Sequence, residues 1–362
     1  MAGELVKLDL APETATAGGV SFRGGTETMW RANLWLRAAS RVVARVGSFR
    51  ARALGELERR ARALPWERFL APGCSVKIRV TAHKSRLYHT TAIADRIASA
   101  IAGRIAGAST PAPTAGSEAD DAPGDSHALV IVRVAHDTCL VSADTSGLLL
   151  HRRGYRMRTA KAPMRETLAA AMVLAGQWDA RLPLVDPFCG SGTIPIEAAL
   201  IARRLPPGAR RRFAFESWPG FSPARWRRLV DTALESALPA SPAPIYASDR
   251  DAGAIAAARD NAERAGVTGD IIFTQQPVAS LTLPDTSGWI VTNPPYGVRV
   301  SDRAGVRDAY TQVGRLVRDQ RFDWRTVVMI ADASLGKAIG RDLRRVFRTS
   351  NGGIPVEVAA SA

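Results

Sequence analysis

The sequence predicts an α/β protein whose C-terminal half is a mostly parallel sheet and whose N-terminal part is α+β. Three observations carry that reading. From about residue 180, short apolar runs alternate with helical stretches, the pattern of a parallel sheet covered on both faces. Before that point, helices and strands are mixed, and residues 128–143 form two adjacent apolar runs with the look of a hairpin. The 362 residues are 46% hydrophobic and 23% charged, an ordinary globular composition with room for two to three domains.

The elements follow in chain order. Residues 17–50 contain Gly-Gly-Val-Ser-Phe and then an amphipathic run from Thr28 to Val46. In it Trp30, Leu34, Trp35, Ala38, Val42 and Val46 recur at helical spacing, and the aromatics read as core. Residues 51–70 read as a second helix ending near Leu64-Pro65-Trp66. Cys74 to Thr81 alternates apolar and polar side chains, as a half-buried strand does. A polar turn, His83 to His89, leads into an Ala- and Ile-rich helix from Thr90 to Ile105. Residues 108–126 are Pro, Ala, Ser and acid, the composition of a disordered surface loop. Ala128–Val134 and Thr138–Ala143 are the hairpin runs, and a basic stretch, 151–165, enters a helix from Arg165 to Trp178. Leu182–Asp186 is a strand opening into a Gly-rich turn and a helix. Ile245–Asp249 is a strand followed by the helix Ala252–Ala265. Strands Ile271–Thr274 and Trp289–Thr292, a helix from about Arg307 and a strand Thr326–Ile330 complete the alternation.

Charge narrows the partner. Lys and Arg number 49 against 34 Asp and Glu, a net +15. Residues 1–110 hold 18 cations against 8 acids, so the excess is concentrated in the first third. Arg152, Arg153, Arg156, Arg158, Lys161 and Arg165 form an acid-free run. Arg203, Arg204, Arg210, Arg211, Arg212, Arg225, Arg227 and Arg228 form another, interrupted only by Glu216. Such clusters suit a polyanion, because each neutralised phosphate releases counterions. A solvated Arg-rich surface with no specific partner is the plainer alternative. No run of about 18 apolar residues is present, which argues against a membrane span. The opening Met-Ala-Gly-Glu-Leu-Val-Lys lacks a secretory signal's apolar core. Three cysteines without a Cys-x-x-Cys pair argue against a disulfide scaffold or a Cys-rich zinc site, and fit a reducing compartment. The five histidines show no metal-ligand spacing.

Asp186-Pro-Phe-Cys-Gly-Ser-Gly-Thr193 sits between a strand and a helix. Its glycines let the backbone approach a ligand closely. It is neither the G-x-G-x-x-G of dinucleotide folds nor a P-loop. Asp249 ends the next strand, where a carboxylate accepts hydrogen bonds from ribose hydroxyls. The ligand therefore carries a ribose without needing a polyphosphate cradle, a description that S-adenosylmethionine meets. Cys189, inside the turn, has no neighbouring base and does not read as a nucleophile.

Asn293-Pro294-Pro295-Tyr296 follows another strand end, where ligands sit in open α/β sheets. Asn, Pro and Gly also build simple rigid turns. Read chemically, the tetrad suits methylation of an exocyclic amine whose lone pair is delocalised into a ring. The Asn293 side-chain carbonyl and the Pro294 backbone carbonyl can accept both N–H bonds and return the lone pair to nitrogen. Two prolines fix φ and hold these acceptors still. Tyr296 offers a flat face for a flipped base, worth roughly 1–3 kcal/mol. Alignment with the methyl donor supplies the rest, a proximity effect of up to about 7–11 kcal/mol, with no strong general base.

These two motifs resemble those of the gamma-type amino methyltransferases. Together with Leu150-His-Arg-Arg-Gly-Tyr-Arg156, Lys161 to Leu168, Lys84 to Thr90 and Ile354 to Val358, they make the chain similar to the THUMP-containing guanine-N2 RNA methyltransferases of bacterial large-subunit ribosomal RNA and archaeal transfer RNA. The resemblance implies three parts: a partial ferredoxin-like segment (1–54), a THUMP RNA-binding domain (55–155) interrupted by the 108–126 insertion, and a Rossmann-like domain with a mostly parallel seven-stranded sheet (156–362). It implies that Asp186, Phe188, Cys189, Gly190, Gly192, Thr193 and Asp249 hold S-adenosylmethionine. It implies catalysis by Asn293, Pro294, Pro295 and Tyr296, and RNA contacts by Lys84, Ser85 and Arg86, with Arg152, Arg153 and Arg156 added from the basic run. The family carries an acid after the third strand for the adenine amino group; here Phe273-Thr-Gln-Gln-Pro277 has none, and Gln276 or a backbone carbonyl takes that place.

The expected activity is methylation of guanine N2 in structured RNA, 23S ribosomal RNA before transfer RNA, by a cytoplasmic monomer without metal or membrane partner. A transfer RNA guanine-N2 or adenine-N6 enzyme, or an RNA-binding protein with a silent catalytic domain, are the alternatives.

Overall fold

The computed structural model describes residues 1–16, 18–110, 127–156, 164–296, 303–318, 322–340 and 342–361. Most of the 108–126 insertion, the basic residues Arg158 and Lys161, and Gly297 lie outside the described residues. The chain divides into two compact units, Met1–Leu150 with Arg210–Asp231, and His151–Ala209 with Thr232–Ala362.

The first unit begins with α1 (Ala2–Lys7), a hairpin of β1 (Pro12–Thr16) and β2 (Gly19–Phe22), and α2 (Thr26–Trp35). The helical spacing predicts one helix through Val46. The helix instead stops at Trp35, Leu36 is extended, and Val43–Arg50 forms β3. Val42 and Val46 satisfy both a four-residue helical interval and the alternation of a strand, and pairing of this segment with a neighbouring strand of its sheet decided between them. Then follow α3 (Leu54–Arg62), β4 (Val76–His83), α4 (Thr90–Ala102), β5 (Ala128–Ala135) and β6 (Thr138–Asp144). The predicted hairpin is β5 paired antiparallel to β6. These four strands form a sheet in the order β3-β6-β5-β4, with only β4 and β5 parallel. Leu57, Trp66, Ile93, Ile97, Val130, Val132 and Val141 pack between one sheet face and α3 and α4.

The segment Arg210–Asp231 completes a second core of this unit. Trp30 is 1% exposed and lies 5.8 Å from Phe215, 5.7 Å from Phe221 and 6.0 Å from Trp226. Arg211 donates to the carbonyls of Leu149 (3.0 Å), Ser146 (3.2 Å) and Leu148 and stacks over Phe213. Arg225 pairs with Glu27 at 2.7 Å. Part of the second basic cluster is therefore spent on folding.

The second unit contains α5 (Glu166–Ala175), β7 (Leu184–Asp186), α6 (Thr193–Ala202) and the end of α7 (Pro223–Glu235). It continues with β8 (Ile245–Asp249), α8 (Ala252–Ala265), β9 (Ile271–Gln275), β10 (Gly288–Thr292), α9 (Arg303–Arg318), β11 (Trp324–Ile330), α10 (Ala333–Ile339), β12 (Leu343–Asn351) and β13 (Ile354–Ser361). The sheet order is β12-β13-β11-β10-β7-β8-β9. β7 to β11 are mutually parallel and β13 runs antiparallel, so the mostly parallel seven-stranded sheet is present. Local chemistry explains the sharp ends of α8. Asp251 accepts from the amides of Gly253 (2.7 Å) and Ala254 (3.2 Å) at its start, and Gly266 closes it at φ +74°.

Candidate active site

β7 is the point where strand order reverses: the chain moves outward to β8 and β9, then returns to β10 on the other side of β7. A crevice outside the carboxyl ends of such strands is the usual ligand site of an open α/β sheet. Both motifs are delivered there, the glycine turn after β7 and the Asn-Pro-Pro-Tyr segment after β10.

The turn is held from beneath. The Gly190 amide donates to Asp249 Oδ2 at 3.0 Å, and the Cys189 amide donates to the Ser248 carbonyl at 3.0 Å. Gly190 and Gly192 have φ of +51° and +83°. A Cβ on Gly192 would stand 2.9 Å from Ala258 Cβ, so this glycine also lets α6 approach α8. A Cβ on Gly190 would meet nothing within 4 Å, so the turn backbone is open on that side. The other oxygen of Asp249 accepts from the Asp251 amide at 3.0 Å. The Gln276 amide donates to the Asp249 carbonyl at 3.0 Å, which places Gln276 beside the ribose candidate.

Asp186 is 1% exposed. Its Oδ1 accepts from the Thr292 hydroxyl (2.7 Å) and the Phe188 amide (3.2 Å). Burial, with Asp249 adding to it, pushes this carboxyl up to about 7 against those two hydrogen bonds. Cys189 is buried, and its thiol is pushed well above the ordinary range, first by burial and then by Asp186 and Asp249, which keeps it protonated. Thr193 faces elsewhere: its hydroxyl accepts from Arg156 at 2.8 Å.

On the other side of the crevice, Asn293 Oδ1 is buried and accepts no hydrogen bond among the described residues. Pro294 is buried, Pro295 exposed and Tyr296 half-buried against the main core. Asn351, the last residue of β12, donates from Nδ2 to the Tyr296 hydroxyl. Burial raises the Tyr296 phenol and that bond partly offsets it. Thr292 and Asn351 were not singled out from sequence, and nothing local marks them; each matters only through a partner distant in the chain.

The basic residues divide. Lys84 and Arg86 are exposed on the turn after β4, with Lys84 at φ +46°. The Ser85 hydroxyl donates to the His83 carbonyl (2.9 Å) and accepts from the Asp137 amide (3.1 Å), so it shapes the turn. Arg152 is half-buried. Arg153 and Arg156 are corrected: the sequence places them in an RNA-facing run, but both guanidinium groups turn inward to carboxylates. Arg153 is 3.5 Å from Glu197, with both side chains nearly inaccessible, and Glu197 also accepts from the Tyr155 hydroxyl at 3.0 Å. Arg156 lies 3.2 Å from Glu166, whose carboxyl burial pushes up to about 7. Among the described residues, no group of three His, Cys, Asp or Glu side chains is placed to hold a metal ion, and no helix is long and apolar enough to cross a membrane.

The strand order, the glycine turn at the switch point and the rigid tetrad beside it define a Rossmann-like methyltransferase. Family models agree: an RMKL-like methyltransferase domain matches residues 153–359, an RlmL ferredoxin-like domain residues 1–43 and a THUMP domain residues 51–111. The putative RNA methyltransferase slr0064 of Synechocystis is 31% identical over 98% of this chain and 91% of its own length. The ribosomal RNA large subunit methyltransferase K/L of Marinobacter nauticus is 32% identical over 99% of this chain, which spans 50% of that protein. The crystal structure of SMU.472, a putative methyltransferase complexed with SAH, superposes with a TM-score of 0.85 at 31% identity, covering 99% of this chain and 93% of that one. The chain belongs to the RMKL-like methyltransferase family.

Proposed function

We propose that the chain methylates the exocyclic N2 of a guanine in structured ribosomal RNA. The coarser reading is an S-adenosylmethionine-dependent RNA methyltransferase, supported by the family match, the SAH-bound structural neighbour and the RNA enzymes among its relatives. The observation that carries the amine-methylating reading is Asn293 Oδ1 at a strand end, buried and without a hydrogen-bond partner among the described residues; the choice of guanine rests on the family resemblance of the motifs. A buried acceptor without a donor is costly and points to a donor arriving with the substrate.

The residues present fit the cofactor. Asp249, fixed by the Gly190 and Asp251 amides, accepts the ribose hydroxyls. Gly190 and Gly192 bring turn backbone close to the methionine part, lined by Asp186, Phe188 and Cys189. Gln276, or a carbonyl near it, meets the adenine amino group. When bound, the cofactor supplies a methyl group on a positively charged sulfur. The protein's work lies on the other reactant. Asn293 Oδ1 and the Pro294 carbonyl accept the two N–H bonds of the amine, which localises its lone pair and aims it. The adjacent prolines keep both acceptors in register, and the ring of Tyr296 stacks on the extruded base. Lys84 and Arg86 contact RNA phosphates from the first unit.

The test is mass spectrometry of nucleosides from a deletion strain and from one carrying Asn293→Ala. Loss of one N2-methylguanosine from large-subunit ribosomal RNA in both strains is the expected result. Loss of N6-methyladenosine, loss from transfer RNA, or no loss at all would each replace this reading.

A further inference from the structure

Tyr155 and Arg156 close a ring of hydrogen bonds behind the glycine turn. On one side, the Arg156 guanidinium donates to the Thr193 hydroxyl at 2.8 Å. On the other, Arg264 Nε donates to the Tyr155 carbonyl at 2.9 Å and Arg264 Nη2 to Asn261 Oδ1 at 2.7 Å. Asn261 Nδ2 in turn donates to the Ser191 carbonyl at 3.0 Å. The turn is thus tied to one dipeptide at residues 191 and 193, on both sides of Gly192. The dipeptide is itself anchored, because the Tyr155 hydroxyl donates to buried Glu197 and Arg156 pairs with Glu166.

Packing alone does not call for the amide in this ring. Asn261 is 1% exposed on α8, whose other inward positions include Ala258, Ala262 and Ala265 in the core. A buried amide is costly unless it is hydrogen-bonded, so an apolar side chain would serve the core as well. What the amide adds is its bond to the turn. The turn needs such a tie, since Gly190 and Gly192 sit at positive φ and glycine has the freest backbone. The Ser248 carbonyl and Asp249 fix the amides of Cys189 and Gly190, which leaves the stretch after Gly190 to Asn261 and Arg156.

We infer that Asn261 and Arg156 are positioning residues for the methionine end of the cofactor, holding the glycine turn in its receiving curve before the ligand arrives. The inference rests on the S-adenosylmethionine reading of this crevice and assigns residues that act through Ser191 and Thr193. A segment already held loses less freedom on binding, and that preorganisation appears as affinity. Asp249 and Gln276, at the ends of β8 and β9, lie outside the ring, so the adenosine end does not depend on it.

The experiment is calorimetric titration of the full chain, well below its melting temperature, with two ligands. S-adenosylhomocysteine carries the amino-acid end; methylthioadenosine keeps the adenosine and sulfur without it. Asn261→Asp keeps an acceptor for Arg264 and removes the donor to Ser191. It should weaken S-adenosylhomocysteine by about five- to tenfold, the worth of one buried hydrogen bond, and leave methylthioadenosine within about twofold. Arg156→Met should do the same, and Arg156→Lys, which keeps a cation and a donor, should recover part of the loss. Where Asn261→Asp melts early, the two Arg156 variants carry the comparison. Equal losses for both ligands would show general loosening of the fold and overturn the positioning role. Unchanged S-adenosylhomocysteine affinity in the variants would overturn it while leaving the cofactor reading in place. Wild-type chain that binds neither ligand would overturn the cofactor reading as well.

Discussion

The hydroxyl of Thr292 donates a 2.7 Å hydrogen bond to Asp186, joining the residue before the Asn-Pro-Pro-Tyr segment to the first residue of the glycine turn. The bond favours the charged carboxylate against burial. Thr292→Val keeps the shape and removes the donor. A hydrogen bond to a charged group contributes about 1.5–3 kcal/mol, so cofactor affinity should drop at least about tenfold. The pH below which binding weakens should also move upward. Calorimetric titration at several pH values measures both; an unchanged affinity would remove Asp186 from the cofactor site.

Asp186 and Glu166 also make stability depend on pH. Both carboxyls sit near 7 in the fold, chiefly through burial, and at ordinary acid values when unfolded. Between about pH 4 and 7 the native chain therefore holds more protons than the unfolded one, and the contribution of these two groups falls as pH rises through that window. Asp186→Asn should flatten its share. Thermal melts of the cofactor-free chain at pH 5 and pH 8, wild type against variant, provide the comparison; equal pH slopes would count against the buried-acid account.

Tyr296 owes its orientation to Asn351, at the far end of the sheet. Asn351→Ala should lower turnover and raise KM for RNA by about fivefold, the worth of one ordinary hydrogen bond, with cofactor Kd unaltered. Tyr296→Phe should reproduce this, and the double variant should add little. Full additivity of the two would show that they act separately.

Arg153 is a folding residue in this structure. Arg153→Met strands the buried carboxylate of Glu197 and should cost about 3–5 kcal/mol of stability. Adding Glu197→Gln should recover much of the loss. RNA affinity of the folded variant should match wild type in anisotropy titrations, and a lowered salt slope would return Arg153 to the RNA surface.

What could be read from the sequence was whatever short-range patterning encodes. β8 and α8 have the predicted limits because an apolar run, an N-capping Asp251 and a closing Gly266 are all local signals. The glycine turn and the tetrad were visible for the same reason. β12 was not: it is the sheet's edge strand, mostly exposed, and its arginines at 344, 345 and 348 hide any alternation. Asn351 and Thr292 take their meaning from partners far along the chain. The arginines of 210–228 look like a phosphate surface in one dimension, yet Arg211 is occupied with carbonyls and Arg225 with Glu27. Val42 and Val46 fit two periodicities, and the sheet chose between them.

Because Arg210–Asp231 belongs to the first unit, the backbone passes between the units at 150/151, 209/210 and 231/232. Neither unit is one uninterrupted stretch of the chain. A fragment starting at residue 151 would carry Phe213, Phe215 and Trp226 with no Trp30 to bury them, and a fragment ending at residue 150 would leave Trp30 bare. Cutting the chain at the 150/151 boundary should therefore yield two pieces, each with uncovered aromatic surface.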